Sequence, residues 1–396
     1  MKVAFLTAGG IAPCLSASIG CLIKFYDNVA NDISFMGYLN GYKGLLLGNS
    51  LNFPPSISKN SEILLEFGGS PIGNSRVKLT NIDDCVKKGY VKEGEDPLKI
   101  AADQLIKDEV KILHTIGGDD TNTMAAQLSL YLKENSYDLT VVGLPKTVDN
   151  DVFPITQTLG AWTAAEQGAL FFENIANENT TSSRQLIIHE IMGRNCGWLT
   201  AYTAKVYRDN LSKRNFFPEI LIDRSRWDID AVFLPELPMN FDEECDRLIE
   251  KMDKKDSINI FLSEGAGIDT IIAELESNNK IIERDAFGHV ALDSLNPGKW
   301  FAKEFSKRLS ADKTLVQKSG YFARSAAPGK KDLDLISRSA KIAVECALNN
   351  ESGLIGMDDS NNEKLGLIDF KRIKGGKPFD MNCDWFQDLL TEIGQN

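Results

Sequence analysis

Short apolar runs alternate with helical patterns along most of the chain. The runs are rich in β-branched and aromatic residues and end in glycine, proline or acidic turns, which is typical of buried strands. They predict strands at 2–7, 33–38, 110–116, 139–144, 186–191, 231–236 and 257–262, and a last strand that ends within 316–325. Apolar residues at helical spacing predict helices at 16–25, 97–107, 124–133, 162–176, 199–207, 242–251, 300–309 and 333–347. Strands that alternate with helices indicate a doubly wound α/β fold.

The composition is that of an acidic globular protein with a large core. The chain has 396 residues, 43% of them hydrophobic, which predicts two domains or one two-lobed unit. A formal net charge of -12 argues against binding to nucleic acid or to an anionic membrane. From this sequence we expect neither a signal peptide nor an apolar run of membrane-spanning length. Seven scattered cysteines without a CxxC pair indicate neither disulfides nor a zinc site, so a cytoplasmic location is expected.

The three histidines, His114, His189 and His289, are dispersed along the chain, which argues against a histidine metal site or a histidine-based triad. Candidate chemistry lies instead on loops that follow strands.

The densest group of chemically active residues comes directly after the run 139–144. Pro145 ends that run, so the next residues lie on a loop at the carboxyl end of a strand, where open α/β sheets bind ligands. The loop carries Lys146, Thr147, Asp149 and Asp151. A cation, a hydroxyl and two carboxylates are groups that phosphoryl transfer requires, and one carboxylate could act as a base. The alternative is an Asx-rich turn without a chemical role.

Three earlier loops are candidates for binding phosphate or metal. Gly9-Gly10 follows the first strand, and the Gly/Ser loop 67–78 ends in the two cations Arg76 and Lys78. Asp119 and Asp120 stand between a strand and a helix, where Asp119 suits a Mg²⁺ ligand. The alternative roles are tight turns for the two glycine loops and an N-cap for Asp120 or Thr121.

Later loops add groups that could bind a phosphorylated sugar. Arg194 lies on a glycine loop after a strand and could clamp an anion, although surface arginines are common. Glu264 follows another strand and could accept hydrogen bonds from sugar hydroxyls.

Five of these motifs together resemble the phosphofructokinase family, and more narrowly its pyrophosphate-dependent branch. The motifs are Gly117-Gly118-Asp119-Asp120, Pro145-Lys146-Thr147-Val148-Asp149-Asn150-Asp151, Met192-Gly193-Arg194, Ser263-Glu264-Gly265 and Gly320-Tyr321-Phe322-Ala323-Arg324. The resemblance implies two similar doubly wound (Rossmann-like) lobes with the active site in the cleft between them. A donor lobe would comprise 1–160 and about 325–375, and a sugar-phosphate lobe 161–324 and about 376–396. It also implies a homodimer or homotetramer.

The resemblance implies reversible phosphoryl transfer from pyrophosphate to fructose 6-phosphate, with Mg²⁺ as cofactor. Asp149 would be the base for the sugar 1-hydroxyl, assisted by Asp151 and Thr147, and Asp119 would bind Mg²⁺. The residues that would face the donor are Gly10, Arg76, Asp120 and Lys146. The residues that would hold the sugar phosphate are Met192, Gly193, Arg194, Glu264, Tyr321 and Arg324, with Arg324 near the 6-phosphate.

Two positions bear on the choice of donor. Family members that use ATP typically carry glycine where this chain has Asp120 and Lys146. Asp120 would fill the space of a nucleotide's α-phosphate, and an uncompensated like-charge contact at roughly 4 Å costs about 4 kcal/mol at an effective dielectric near 20. Lys146 would offer its ammonium to pyrophosphate, so the pair favours pyrophosphate over ATP.

Two departures from the family pattern leave alternatives open. Arginines that reach a neighbouring subunit's 6-phosphate are replaced here, with Arg184 and Lys318 as the nearest cations. Either these two take over, or the pocket prefers another sugar phosphate such as sedoheptulose 7-phosphate. The remaining alternatives are an ATP-dependent enzyme, a non-catalytic regulatory subunit and a plain nucleotide-binding module. The retained Asp149, Asp151 and Asp119 argue against a regulatory subunit, and the incomplete glycine fingerprint at Gly9-Gly10 argues against a nucleotide-binding module.

Overall fold

The computed structural model describes residues 1–29, 32–277 and 295–395. These residues form two compact units, one made of Met1–Ala164 and Arg324–Lys377 and the other of Ala165–Ala323 and Pro378–Asn396, as far as the latter are described. None of the described helices is long and apolar enough to cross a bilayer. His114 and His189 are buried, whereas His289 lies outside the described residues.

The elements of the described residues follow the alternation that the sequence predicts. The strands are β1 (Lys2–Thr7), β2 (Ser34–Tyr38), β3 (Ser50–Asn52), β4 (Ile112–Gly117), β5 (Thr140–Pro145), β6 (Gln185–Ile191), β7 (Ala231–Phe233), β8 (Ser257–Ser263), β9 (Lys313–Lys318), β10 (Gly353–Asp358) and β11 (Lys364–Ile368). The α-helices are α1 (Leu15–Val29), α2 (Tyr42–Leu47), α3 (Ile57–Asn60), α4 (Ile82–Lys87), α5 (Pro97–Lys107), α6 (Asp119–Glu134), α7 (Ala161–Ile175), α8 (Trp198–Leu211), α9 (Arg224–Trp227), α10 (Phe241–Lys255), α11 (Ile268–Ser277), α12 (Pro297–Leu309), α13 (Gly320–Arg324), α14 (Lys330–Leu348) and α15 (Asp384–Glu392). Short 3₁₀ turns lie at Ser61–Glu66, Ala176–Thr180, Pro218–Ile220, Asp359–Asn361 and Phe370–Arg372.

The first unit is built on a seven-stranded sheet with the order β11-β10-β5-β4-β1-β2-β3. β10, β5, β4, β1 and β2 are parallel, while β3 and β11 are antiparallel edge strands. Every residue of β4 and β5 is buried, as expected for central strands of a parallel sheet that is covered on both faces. The carboxyl ends of β1, β4 and β5 therefore meet at one edge of this sheet.

The second unit has a four-stranded parallel sheet with the order β7-β8-β6-β9. Its central strands β6 and β8 are fully buried. One face packs Phe301 and Phe305 of α12 on Phe233 of β7. The carboxyl ends of β6, β8 and β9 lie at one edge, so the loops that follow them are neighbours.

The α/β class is confirmed, and the differences from the predicted elements have local causes. Helix α6 begins at Asp119 instead of Met124, with Gly118 as its N-cap, so neither Asp120 nor Thr121 has the capping role considered above. Strand β7 ends at Phe233, two residues before Pro235, because proline lacks the N–H that a sheet ladder needs. The last strand ends at Lys318, and residues 320–324 are helical. The hairpin β10–β11 and helix α15 lie in the tail, for which no elements were predicted.

Candidate active site

The first unit brings four of the predicted loops together: those at the carboxyl ends of β1, β4 and β5, and the Gly/Ser loop 67–78. The Gly9-Gly10 turn is tied to the Gly/Ser loop by a hydrogen bond from Gly9 N to Ser75 O of 2.9 Å, and Asn74 Nδ2 donates to both glycine carbonyls. Lys146 N donates to Gly117 O at 2.8 Å, which joins the β5 loop to the β4 loop. A donor-binding surface can therefore be assembled from short local turns.

Lys146 is the buried cation of this group. Only 5% of the residue is exposed, and its Nζ donates to Gly10 O at 2.7 Å. Burial lowers the pKa of the ammonium; the Cys14 thiol and the Asp149 carboxylate oppose that effect, and the Arg76 charge adds to it. A buried ammonium with one backbone acceptor is well suited to receive a phosphate oxygen.

Two arginines lie beside the same glycine turn. A Cβ built on Gly10 would lie 3.8 Å from Arg324 Nη1 and 3.9 Å from Arg76 Nη2. Both distances are ordinary van der Waals contacts, so they place a nitrogen of each guanidinium group beside Gly10 without requiring glycine at that position. One guanidinium nitrogen of Arg324 therefore lies beside Gly10 of the predicted donor group. Its place near a sugar 6-phosphate stays a prediction.

Asp119 and Asp120 form the first turn of α6, where carboxylates interact favourably with the helix dipole. Asp120 is paired with Lys78, whose Nζ is 2.7 Å from Oδ2. Both side chains are about half exposed, so the pair adds little stability. It does compensate the charge of Asp120. The free-energy cost of a like-charge contact between Asp120 and a nucleotide's α-phosphate is therefore lower than predicted. The volume of the Asp120 side chain becomes the stronger argument against ATP as the donor.

The loop with the two carboxylates is held by its own polar groups. Thr147 Oγ1 donates to Asp151 Oδ1 at 3.1 Å and accepts a hydrogen bond from Asp149 N at 3.1 Å. Asn150 adopts a left-handed φ of 57° and is buried. Its Nδ2 donates to Thr156 O, and its Oδ1 accepts from both Thr158 N and Thr158 Oγ1. This network fixes the direction in which the carboxylates on either side of Asn150 point.

The charge environment of Asp151 differs from that of a surface aspartate. Burial raises the pKa of its carboxyl, and the nearby Asp119 carboxylate raises it further, while the Thr147 hydrogen bond lowers it. A cation placed between Asp119 and Asp151 would relieve this repulsion.

Asp119 is the predicted ligand of a divalent cation. A Cβ built on Gly375 would lie only 1.8 Å from Asp119 Oδ2, so the carboxylate lies against bare backbone. Among the described residues no group of three or more His, Cys, Asp or Glu side chains could hold a metal. Mg²⁺ commonly takes one or two carboxylates and completes its shell with water and substrate phosphates. The donor set is consistent with that mode.

The second unit brings together Met192, Gly193, Arg194 and Glu264. Gly193 N donates to Glu264 Oε1 at 3.4 Å, and Ser263 Oγ donates to Gly193 O at 2.5 Å. A Cβ on Gly265 would lie 1.8 Å from Arg194 O, so the loops after β6 and β8 can approach this closely only with glycine at 265. Arg194 lines an open groove of about 510 Å³ with Glu236 and Gly265. The groove places the Arg194 cation and the Glu236 carboxylate within reach of a polar ligand.

The remaining predicted residues have different surroundings. Tyr321 is 81% exposed, one residue after Gly320, which lies against Met192. Lys318 pairs with the buried Glu190 at 2.7 Å.

Arg184 lies at the opposite end of β6 from Met192 and is not brought together with it. Its guanidinium donates to Ser310 O, Leu309 O and Asp253. The first two bonds satisfy carbonyl groups at the C-terminal end of α12. Both Arg184 and Lys318 are already paired, and each keeps further N–H donors that could bind phosphate.

Comparison with known proteins settles the family. The sequence matches the phosphofructokinase family over residues 2–347. The chain belongs to the phosphofructokinase family. It is 57% identical over 395 residues to a pyrophosphate–fructose 6-phosphate 1-phosphotransferase of Methylotuvimicrobium alcaliphilum, covering 100% of this chain and 97% of that protein. It is 55% identical over 394 residues to the protein of the same name from Propionibacterium freudenreichii, covering 100% and 98%.

The phosphofructokinase fold is also found among solved structures. A crystal structure described as a pyrophosphate-dependent phosphofructokinase from Nitrosospira multiformis matches with a TM-score of 0.72 at 17% identity, covering 99% of this chain and 90% of that one. The family predicted from the five motifs is confirmed, and so is its fold of two Rossmann-like lobes.

Three residues of this phosphofructokinase site were not singled out from the sequence. Asn150 was considered only as part of an Asx-rich turn, although Asn before a second aspartate is a common signal for a left-handed residue. Lys78 was recognised as a cation but not as the partner of Asp120. Gly375 lies far along the chain from Asp119, and no local sequence pattern predicts their contact.

Proposed function

We propose that this protein catalyses the Mg²⁺-dependent, reversible transfer of a phosphoryl group from pyrophosphate to the 1-hydroxyl of fructose 6-phosphate, giving fructose 1,6-bisphosphate and phosphate. The names of relatives that share more than half of its residues over the full chain support this proposal. The structural observation that carries it is the buried Lys146 ammonium on the Gly10 carbonyl, within electrostatic range of Asp149, Asp151 and Arg76.

Asp149 would accept the proton of the sugar 1-hydroxyl as the phosphoryl group transfers. Its backbone N–H is held by Thr147, and Asn150 fixes the turn beside it, so the base is oriented before the substrate arrives. The Asp151 carboxyl accepts a hydrogen bond from the Thr147 hydroxyl, and it would help to position the 1-hydroxyl of the sugar.

The cations of the donor group would neutralise the charge on the phosphoryl group. Lys146 and Arg76 would contact pyrophosphate, and Arg324, one nitrogen of which lies beside Gly10, would hold the 6-phosphate of the sugar. Asp119 would hold Mg²⁺, which when bound supplies further neutralisation of phosphate oxygens. Asp120 would occupy the space that a nucleotide's α-phosphate needs and so favour pyrophosphate over ATP.

Met192, Gly193, Arg194, Glu264 and Tyr321 would hold fructose 6-phosphate, with Arg194 offering charge and Glu264 accepting hydrogen bonds from hydroxyls. Arg184 and Lys318 remain candidates for the 6-phosphate of a neighbouring subunit. We expect a cytoplasmic homodimer or homotetramer.

The proposal is tested by following the reaction with ³¹P NMR. The purified protein, fructose 6-phosphate and Mg²⁺ are supplied with pyrophosphate, and the expected result is loss of the pyrophosphate signal with equal gain of phosphate and of fructose 1,6-bisphosphate. Product and phosphate supplied together should regenerate pyrophosphate. A sample with sedoheptulose 7-phosphate tests the acceptor. The proposal fails if the pyrophosphate signal stays unchanged while fructose 6-phosphate and Mg²⁺ are present.

A further inference from the structure

The C-terminal segment 374–377 contacts the carboxylate of Asp119 and the backbone of Asp151, although neither a motif nor the proposed reaction assigns it a role. Lys374 and Phe153 exchange two backbone hydrogen bonds, of 2.8 Å and 3.0 Å. Lys377 N donates to Asp151 O at 2.9 Å. The segment therefore runs antiparallel to the loop that carries Asp151 and is bonded to it at both ends.

The other side of this segment lies against Asp119. A Cβ on Gly375 would be 1.8 Å from Asp119 Oδ2, 2.5 Å from its Cγ and 2.9 Å from its Cβ. Real Cβ atoms do not approach other heavy atoms this closely, so any side chain at 375 would move the Asp119 carboxylate or the segment. Gly376 is glycine for another reason, since its φ is +77° and a Cβ there would meet nothing within 4 Å.

Within residues 1–29, 32–277 and 295–395, none donates a hydrogen bond to the Asp119 carboxylate, so its direction depends on packing. The backbone of Gly375 is a close neighbour of this carboxylate. Lys377 keeps the segment in place, because its Nζ donates to Ile155 O at 2.8 Å and to Asp359 Oδ2 at 2.7 Å.

We propose that segment 374–377 positions the ligands of the divalent-metal site. Gly375 sets the direction of the Asp119 carboxylate. The hydrogen bonds between the segment and residues 151–153 keep that carboxylate at a fixed position relative to Asp151. The inference rests on the proposed function for the assignment of Asp119 to the metal. It adds Gly375 and Lys377 as positioning residues of the reaction.

The test is a titration of Mn²⁺, the probe for the site, into the purified protein with inorganic phosphate present, with free Mn²⁺ measured by electron paramagnetic resonance. Gly375→Ala should raise the Mn²⁺ Kd by about tenfold or more, the range seen when groups that orient a metal ligand are changed. Gly366→Ala in β11 is the matched control, because a Cβ there meets nothing within 4 Å and its affinity should be unchanged.

Lys377→Ala tests the same link without adding an atom beside Asp119, and should raise the Kd by about threefold. In both variants the Mg²⁺ concentration for half-maximal turnover should rise more than kcat falls. The inference is overturned if both variants bind Mn²⁺ as the unaltered protein does while Asp119→Ala does not. If Asp119→Ala also binds Mn²⁺ normally, the metal assignment itself fails and the segment loses the proposed role.

Discussion

Lys146 shows how one residue can combine structural burial with a chemical role. The protein removes most of its hydration, leaves it the Gly10 carbonyl as an acceptor and surrounds it with charges of both signs. Such a buried ammonium is placed to receive an anion.

The lowered pKa of Lys146 predicts an alkaline limb in the pH profile. The ammonium of the free enzyme should lose its proton below the usual 10.5, so kcat/KM for pyrophosphate should fall as pH rises through that lowered value. Lys146→Arg keeps its charge and should move the alkaline limb upward, even where its activity is lower. Lys78→Arg, at an exposed position, should leave the limb in place. An unchanged limb in Lys146→Arg would assign the titration to another group.

Asp149→Asn tests the base. The change keeps the size of the side chain and removes its ability to accept a proton, so kcat should fall by about 10² to 10⁴ while KM changes little. Asp151→Asn should cost less, because Asp151 positions the hydroxyl in this account. Near-normal kcat in Asp149→Asn would remove Asp149 from the role of base.

Asp120 allows charge and volume to be separated. Because Lys78 compensates the carboxylate, Asp120→Asn should leave ATP a poor donor, whereas Asp120→Gly should raise kcat/KM for ATP by about tenfold or more. Steady-state kinetics with both donors measure this difference. Equal gains in the two variants would mean that charge, and not volume, excludes the nucleotide.

At the scale of elements, the loop 147–158 depends on the side chain of Asn150. Asn150→Ala removes three hydrogen bonds and places alanine at a positive φ, so the free energy of unfolding should fall by about 3 kcal/mol. Asn150→Gly loses the same bonds without the backbone cost and should be about 1 kcal/mol less destabilising. Urea unfolding measures both. Equal stability of the two variants would remove backbone strain from this account.

Local signals predict some elements to the residue and miss others. Helix α5 was predicted at its observed bounds from apolar residues at helical spacing, and in the structure Asp96 caps it and Pro97 occupies its first turn. The start of α6 was missed because Asp119 to Thr123 are weak helix formers, yet the first turn favours acidic residues. The Gly375 contact with Asp119 and the Lys78 pair with Asp120 are tertiary approaches, which no local periodicity encodes.

At the scale of the whole molecule, each unit gathers its polar loops by the same means. Parallel strands place their carboxyl ends at one edge, so residues far apart in sequence, such as Gly10, Asp119 and Lys146, become neighbours in the first unit. The family was predicted from the motifs and their order along the chain, which the sequence alone shows. The surroundings of Arg324 and Arg184 depend on the folded structure and were not predictable from that order.

The measurement that tests the central claim most directly is the ratio of kcat/KM for pyrophosphate to that for ATP, with fructose 6-phosphate and Mg²⁺ at saturation. The account predicts a ratio of at least about a hundred for the unaltered protein, equivalent to about 3 kcal/mol. It predicts a much smaller ratio for the double variant Asp120→Gly, Lys146→Gly. A ratio near or below one in the unaltered protein would contradict the assignment of pyrophosphate as donor.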